Sequence, residues 1–293
     1  MPKSATQFQK KFMSMGFRGR EIFKPLNTGH IDEHVSCIRE WIANIFFYTK
    51  NGKTIMIDAG YNYERLEEKM GWLDLRPEDI HEILITHQDT DHMGATEKDS
   101  TVSFPDAKLY IGEIENEYLT GEVRRRVIHG MYKLPMVQTE MDKVLLKDGE
   151  ILDLDGIKVE CILVPGHTWG HMVYLIDDRY LFTGDTIWFG ADGGYSFIST
   201  LAEDNQLSVQ SLQKLESLLR TRNIHPLIIT GHTGWTDDLD FAFAHRNQLC
   251  KPFGRRVHDP HAPYDGYDET DDTEEKARTV PLARQDTSLY RKP

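Results

Sequence analysis

The segment Thr86-His87-Gln88-Asp89-Thr90-Asp91-His92 sets two imidazoles and two carboxylates within one short stretch. Just before it, residues 82–86 read as a short buried strand. Just after it, Met93-Gly94-Ala95-Thr96 reads as the start of a helix. His87, Asp89, Asp91 and His92 therefore leave a strand's end together, and a loop there can turn all four toward one point. That donor set suits Zn²⁺, or the harder Mn²⁺ or Fe²⁺. A solvated polar turn is the simpler reading of this segment taken alone. Matching groups elsewhere in the chain weigh against it.

Those groups recur where other predicted strands stop. Lys53 to Asp58 is a strand that ends at Asp58-Ala59-Gly60, and Ile157 to Val164 ends at Pro165-Gly166-His167. Tyr180 to Thr183 exits at Gly184-Asp185-Thr186, and Pro226 to Thr230 exits at Gly231-His232-Thr233. Alone, each is a plain turn residue. Together they are one event repeated, and strands laid side by side would bring these ends to one edge.

The elements that must position them alternate between strand and helix. Residues 36–49 and 53–58 flank Asn51-Gly52, a strong two-residue hairpin signal. Residues 61–70 have helical composition, and Arg76-Pro77-Glu78-Asp79-Ile80 looks like a helix start with proline near its first position. Residues 107–111 are a strand. Residues 112–143 read as a helix-rich insertion whose Arg124-Arg125-Arg126 belongs to a solvated face, with a substrate clamp as the second reading. Residues 145–155 look like a hairpin around Lys147-Asp148-Gly149, and residues 190–195 like a flexible glycine-rich loop. Leu212, Leu215, Leu218 and Leu219 give residues 207–222 the spacing of a core-facing helix. A last helix is expected over about 237–250. Beyond Pro252 the acidic composition predicts a tail, extended or wrapped on a neighbour.

Composition narrows the function classes. The chain has 293 residues, 39% of them hydrophobic, enough to bury a large core. A formal net charge of -13 offers phosphate backbones no general attraction, so nucleic acid is not an expected partner. Cys37, Cys161 and Cys250 form no C-x-x-C pair, which argues against a disulfide framework and thiolate zinc sites. Neither a signal peptide nor a membrane-length apolar run is evident, so a cytoplasmic protein with no membrane partner is expected.

The ligand pattern resembles the metallo-β-lactamase superfamily over roughly residues 35–250. The family's His-x-His-x-Asp-His motif is matched by His87-Gln88-Asp89-Thr90-Asp91-His92, with Asp89 where the family usually has His. Its later His after Pro-Gly, Asp after Gly and His after Gly are matched by His167, Asp185 and His232, and its early aspartate by Asp58. The resemblance implies an α/β (α+β in some schemes) four-layer αββα sandwich spanning residues 1–251, with residues 252–293 as the tail. It implies two divalent ions, zinc first, with manganese or iron as alternatives. The first would sit on His87, Asp89 and His167, the second on Asp91, His92 and His232, with Asp185 bridging. Asp58, Asp91 and Asp185 would be the catalytic carboxylates, acting on a water whose pKa the ions lower. A carboxylate at Asp89 favours harder ions, or leaves only one ion bound.

Trp188 and Tyr195 follow Asp185 and are candidate pocket residues. His171 is a candidate substrate contact, though a hydrogen-bonding role in the site wall is the simpler reading. The insertion and Pro165-Gly166-His167-Thr168-Trp169-Gly170-His171 look most like the lactonase and glyoxalase II-like branches. Hydrolysis of a small ester, lactone or thioester is therefore expected. A di-iron or di-manganese redox protein and a non-catalytic metal-binding module are the alternatives. A basic N-terminal arm and the acidic tail hint at a homodimer.

Overall fold

The computed structural model describes residues 23–190, 192–250, 269 and 271–283. The N-terminal arm up to residue 22, and most of the tail, lie outside the described residues. Two mixed sheets carry the architecture. The first contains β1 (Gly29–His30), β2 (Val35–Glu40), β3 (Ala43–Lys50), β4 (Lys53–Ile57), β5 (Ile80–Ile85), β6 (Lys108–Gly112) and β9 (Lys143–Leu146), in that order. The short β7 (Arg126–Val127) and β8 (Tyr132–Lys133) pair separately. The second sheet runs β10 (Glu150–Asp153), β11 (Lys158–Leu163), β12 (Met172–Ile176), β13 (Tyr180–Phe182), β16 (Leu227–Thr230) and β17 (Gly234–Thr236).

Side-chain alternation builds the layers. In β3, Phe46 and Tyr48 face the second sheet, where they join Cys161, Tyr174 and Phe182 in the central core. Ile45 and Phe47 point the other way, onto Leu66 and Met70 of the helix Leu66–Trp72. In β12, Tyr174 and Ile176 face inward, while Val173 and Leu175 meet Leu212, Leu215 and Leu219 of the helix Asn205–Thr221. Both faces of the central strands β3 and β12 are thus buried, which requires apolar residues at successive strand positions. The result is the helix–sheet–sheet–helix order that the resemblance implies. Asp204 caps the long helix, accepting the Leu207 N–H at 2.9 Å.

Several expectations are corrected. Residues 145–155 are not a hairpin: β9 ends the first sheet and β10 begins the second, so the turn at Lys147-Asp148-Gly149 crosses between layers. Residues 190–195 are not simply a flexible loop. β14 (Ile187–Gly190) and β15 (Gly193–Ile198) pair antiparallel there. Gly194 is required because a Cβ would lie 1.9 Å from the Ala242 carbonyl oxygen. The helix expected over 237–250 is one turn, Leu239–Ala242, followed by β18 (His245–Cys250), which runs parallel to β15. Within 112–143 there is one helix, Glu113–Thr120, and the rest is largely irregular.

The described part of the acidic tail packs on its own chain. Asp272 accepts the Thr28 N–H at 2.6 Å, and the Leu282 N–H reaches the His30 carbonyl at 2.8 Å. The fully buried Lys69 ammonium donates to Asp272 at 2.6 Å, to Glu269 at 2.8 Å and to the Arg39 carbonyl at 2.6 Å. A buried ammonium is tolerable because each of its three donors meets an oxygen.

Candidate metal centre

Parallel pairing explains why the strand exits meet. β4 and β5 are parallel neighbours, and so are β13 and β16. Each pair therefore ends on one edge, where β4 delivers Asp58, β5 the 86–92 loop, β13 Asp185 and β16 His232. Gly184 makes the turn after β13 with φ 48°, and a Cβ there would fall 2.6 Å from Thr86 Oγ1. No side chain fits between these two ligand loops.

Two groups of side chains are arranged so that each could hold a metal ion. One is His87, His167 and Asp185; the other is Asp91, His92 and His232. Asp185 lies between them. Its Oδ1 is 3.2 Å from both His92 Nε2 and His232 Nε2, and its Oδ2 is 3.5 Å from His167 Nε2 and 3.9 Å from His87 Nε2. Asp91 Oδ2 lies 3.5 Å from His232 Nε2 and 3.8 Å from His92 Nε2.

The outer partners fix which imidazole nitrogen faces inward. His92 Nδ1 is 2.8 Å from Asp58 Oδ2, and His232 Nδ1 is 2.6 Å from the Ile42 carbonyl. Both partners are acceptors, so each Nδ1 carries a proton. In the neutral rings the two Nε2 lone pairs then face each other at 3.2 Å, beside a carboxylate. Such a set is repulsive unless a cation sits between. The same demand shows in the protonation preference of the metal-free site. Burial alone would lower His92, but Asp185, Asp58 and Asp91 together hold it well above its ordinary value. His232 is raised too, because Asp185 and Asp91 outweigh burial. These residues fit a divalent ion.

Asp58 is anchored in turn by the Thr86 N–H at 2.8 Å and the Thr86 hydroxyl at 2.9 Å. Its φ of 59° is one that aspartate tolerates. His171 follows the simpler reading. It is fully buried, stacks on His87 with ring centroids 4.9 Å apart, and accepts the Asp185 N–H at 3.1 Å. Trp188 and Tyr195 are buried in an apolar cluster with Trp41, Phe197 and Ile198, and Phe197 of that cluster packs against His167 and His232.

Two site residues were not legible in the sequence. Glu115, on the helix Glu113–Thr120, accepts the Gln88 N–H at 2.8 Å and the Thr168 hydroxyl at 2.6 Å. It ties the two ligand loops together, and burial pushes its carboxyl up to about 7. Arg125 is the second. Its neighbours Arg124 and Arg126 are exposed, but the Arg125 side chain is 1% exposed and forms a fork with Asp89. Nε meets Oδ1 and Nη2 meets Oδ2, both at 2.9 Å. Nη2 is also 3.1 Å from His167 Nε2. The solvated-face reading of the arginine triplet therefore fails at its middle member. Burial opposes the charge on Asp89, yet Arg125 and the two histidines hold its carboxyl well below the usual range. Burial, then Arg125, lowers His167 to about 4, which keeps that ring neutral.

Residues 38–243 match the family model described as the metallo-beta-lactamase superfamily, and the chain belongs to that superfamily. The chain carries both of its candidate metal groups within the matched residues. It is 28% identical over 54% of its length to a probable polyketide biosynthesis zinc-dependent hydrolase, BaeB, of Bacillus velezensis; the match spans 60% of that relative, under two thirds of its length. It is 27% identical over 62% of its length to hydroxyacylglutathione hydrolase GloC of Haemophilus influenzae, covering 80% of that protein. Among solved structures, Rm3 metallo-beta-lactamase aligns with a TM-score of 0.55 at 15% identity, covering 90% of this chain and 89% of that one, which supports the fold alone. No helix among the described residues is long and apolar enough to cross a membrane.

Proposed function

We propose that the chain hydrolyses a small thioester. A water oxygen adds to the carbonyl carbon, the carbon–sulfur bond breaks, and the thiolate takes up a proton to leave as the thiol beside the carboxylic acid. The carrying observation is the inward-facing donor set at the strand-exit edge, with protons fixed on the outer nitrogens of His92 and His232. A divalent ion, zinc in the first instance, supplies Lewis acidity and an activated water when bound. Asp91, His92, His232 and Asp185 would hold it.

The chain's own residues do the rest. Asp58 keeps His92 in the tautomer that can bind an ion, and His171 holds the backbone of Asp185 in place. Glu115 keeps the 86–92 and 165–171 loops in register through Gln88 and Thr168. Arg125 puts a fixed positive charge beside His167. The choice of a thioester over the ester and lactone alternatives is supported by the relative named as a hydroxyacylglutathione hydrolase. The redox reading drew on Asp89 as a carboxylate ligand, but that side chain is engaged by Arg125.

A substrate panel tests the reading. A hydroxyacyl-glutathione thioester is expected to give kcat/KM at least about tenfold above a matched oxygen ester, an acyl-homoserine lactone and a β-lactam, a gap worth some 1.4 kcal/mol in the transition state. A lactone or oxygen ester turned over faster than every thioester would reject the substrate class.

A further inference from the structure

We infer that Arg125 is the resident cation of the group formed by His87, His167 and Asp185, and that the chain carries one metal ion, on Asp91, His92, His232 and Asp185. The inference builds on the hydrolase reading and specifies how that site is charged.

The argument starts from lone pairs. His167 Nε2 is the atom that completes the first group, and an Arg125 N–H points at it from 3.1 Å. A lone pair accepting a proton cannot also bind an ion at the roughly 2.0–2.1 Å of a zinc–imidazole bond. Asp89 Oδ2 lies 3.4 Å from His167 Nε2 and 3.5 Å from His87 Nε2, but its charge is already paired with Arg125. Its Oδ1 accepts from Arg125 Nε and from Gln88 Nε2, both at 2.9 Å, and its Oδ2 accepts from Arg125 Nη2 at 2.9 Å. The donors in that group that Arg125 does not engage are His87 and Asp185. That is one short of the three protein ligands that catalytic zinc sites use.

Arg125 is not poised to leave. Its Nη2 also donates to the Leu201 carbonyl at 2.7 Å, and its own carbonyl accepts the Leu134 N–H at 3.1 Å. The Arg126 N–H is bound by Glu203 at 2.9 Å, and the Ile128 N–H by the Thr200 carbonyl at 2.6 Å. The segment carrying the guanidinium is thus fastened to residues 200–203 along its length. The second group differs in kind. The interactions described for Asp91, His92 and His232 include no arginine or lysine, and the two Nε2 atoms and the Asp185 oxygen converge with no fixed positive charge among them. One group has its cation in the sequence; the other has to acquire one. His87 Nε2, buried and without a hydrogen-bond partner, is what an ion would recover if Arg125 were removed.

Metal stoichiometry tests this on the full chain without reference to activity. The chelator-stripped protein is titrated with Co²⁺, following its visible absorption, and zinc-loaded protein is measured by elemental analysis after desalting. Wild type is expected to saturate at one equivalent. Arg125→Ala, which frees His167 Nε2 and Asp89 together, is expected to take up a second. Two equivalents in wild type, or a single equivalent in a folded Arg125→Ala, overturns the inference and leaves the hydrolase reading standing. No tight binding in wild type overturns both. Should Arg125→Ala fail to fold, as judged by circular dichroism, the wild-type stoichiometry decides alone.

Discussion

Asp185→Ala is expected to abolish tight metal binding and to lower kcat/KM by roughly 10³-fold. That corresponds to several kcal/mol of transition-state stabilisation at 1.4 kcal/mol per tenfold. The size follows from its place. One carboxylate oxygen faces His92 and His232 at 3.2 Å, and the other faces His167 at 3.5 Å. Both candidate groups therefore share its negative charge. Burial raises the cost of that charge, yet His232 and His92 hold the Asp185 carboxyl well below its ordinary range in the metal-free site. The fold should survive, because His171 grips the Asp185 backbone, not its side chain. Elemental analysis and steady-state kinetics check both parts. A variant with wild-type metal content would remove Asp185 from the ligand set.

Asp89→Ala is expected to cost about 3–5 kcal/mol of folding stability, because it strands a buried guanidinium. For a chain of this size that is a fall in Tm of about 10 °C. The measurement belongs on metal-free protein, so that ion binding does not contribute. Arg125 would retain the Leu201 carbonyl and His167, but neither carries the opposite charge. The double variant Asp89→Ala/Arg125→Met is expected to recover part of the loss, since removing both partners leaves no unpaired charge. A single-variant loss below about 1 kcal/mol, the range of exposed pairs, would mean that the pair is solvated.

The centre was legible because its chemistry is local in the sequence. Each of these groups follows a strand: Gly-His or Gly-Asp marks His167, Asp185 and His232, while Asp58 and His87 come straight off an apolar run, His87 after one threonine. Asp58, the 87–92 loop, His167, Asp185 and His232 could be found that way, and the sheets bring them together. The layer order was legible through the family resemblance alone; the run Ile45 to Tyr48 is apolar throughout, as a strand buried on both faces requires. Arg125 was not. Its role depends on burial, and nothing in Arg124-Arg125-Arg126 marks the middle residue as the one that turns inward. The β14–β15 hairpin was hidden because Gly193 and Gly194, which read as loop, let the 241–244 backbone approach closely. The Lys147-Asp148-Gly149 turn has hairpin chemistry, but which sheet each flanking strand joins is decided by tertiary pairing. β18 alternates too weakly in hydrophobicity to be told from helix.

The most direct test of the central claim is thioester hydrolysis by protein stripped with chelator and then restored with zinc. Metal-dependent hydrolysis predicts that stripping removes nearly all turnover and that added zinc returns it. Full activity in the stripped protein, or none after its metal content has been restored, would contradict the assignment of this edge as a hydrolytic centre.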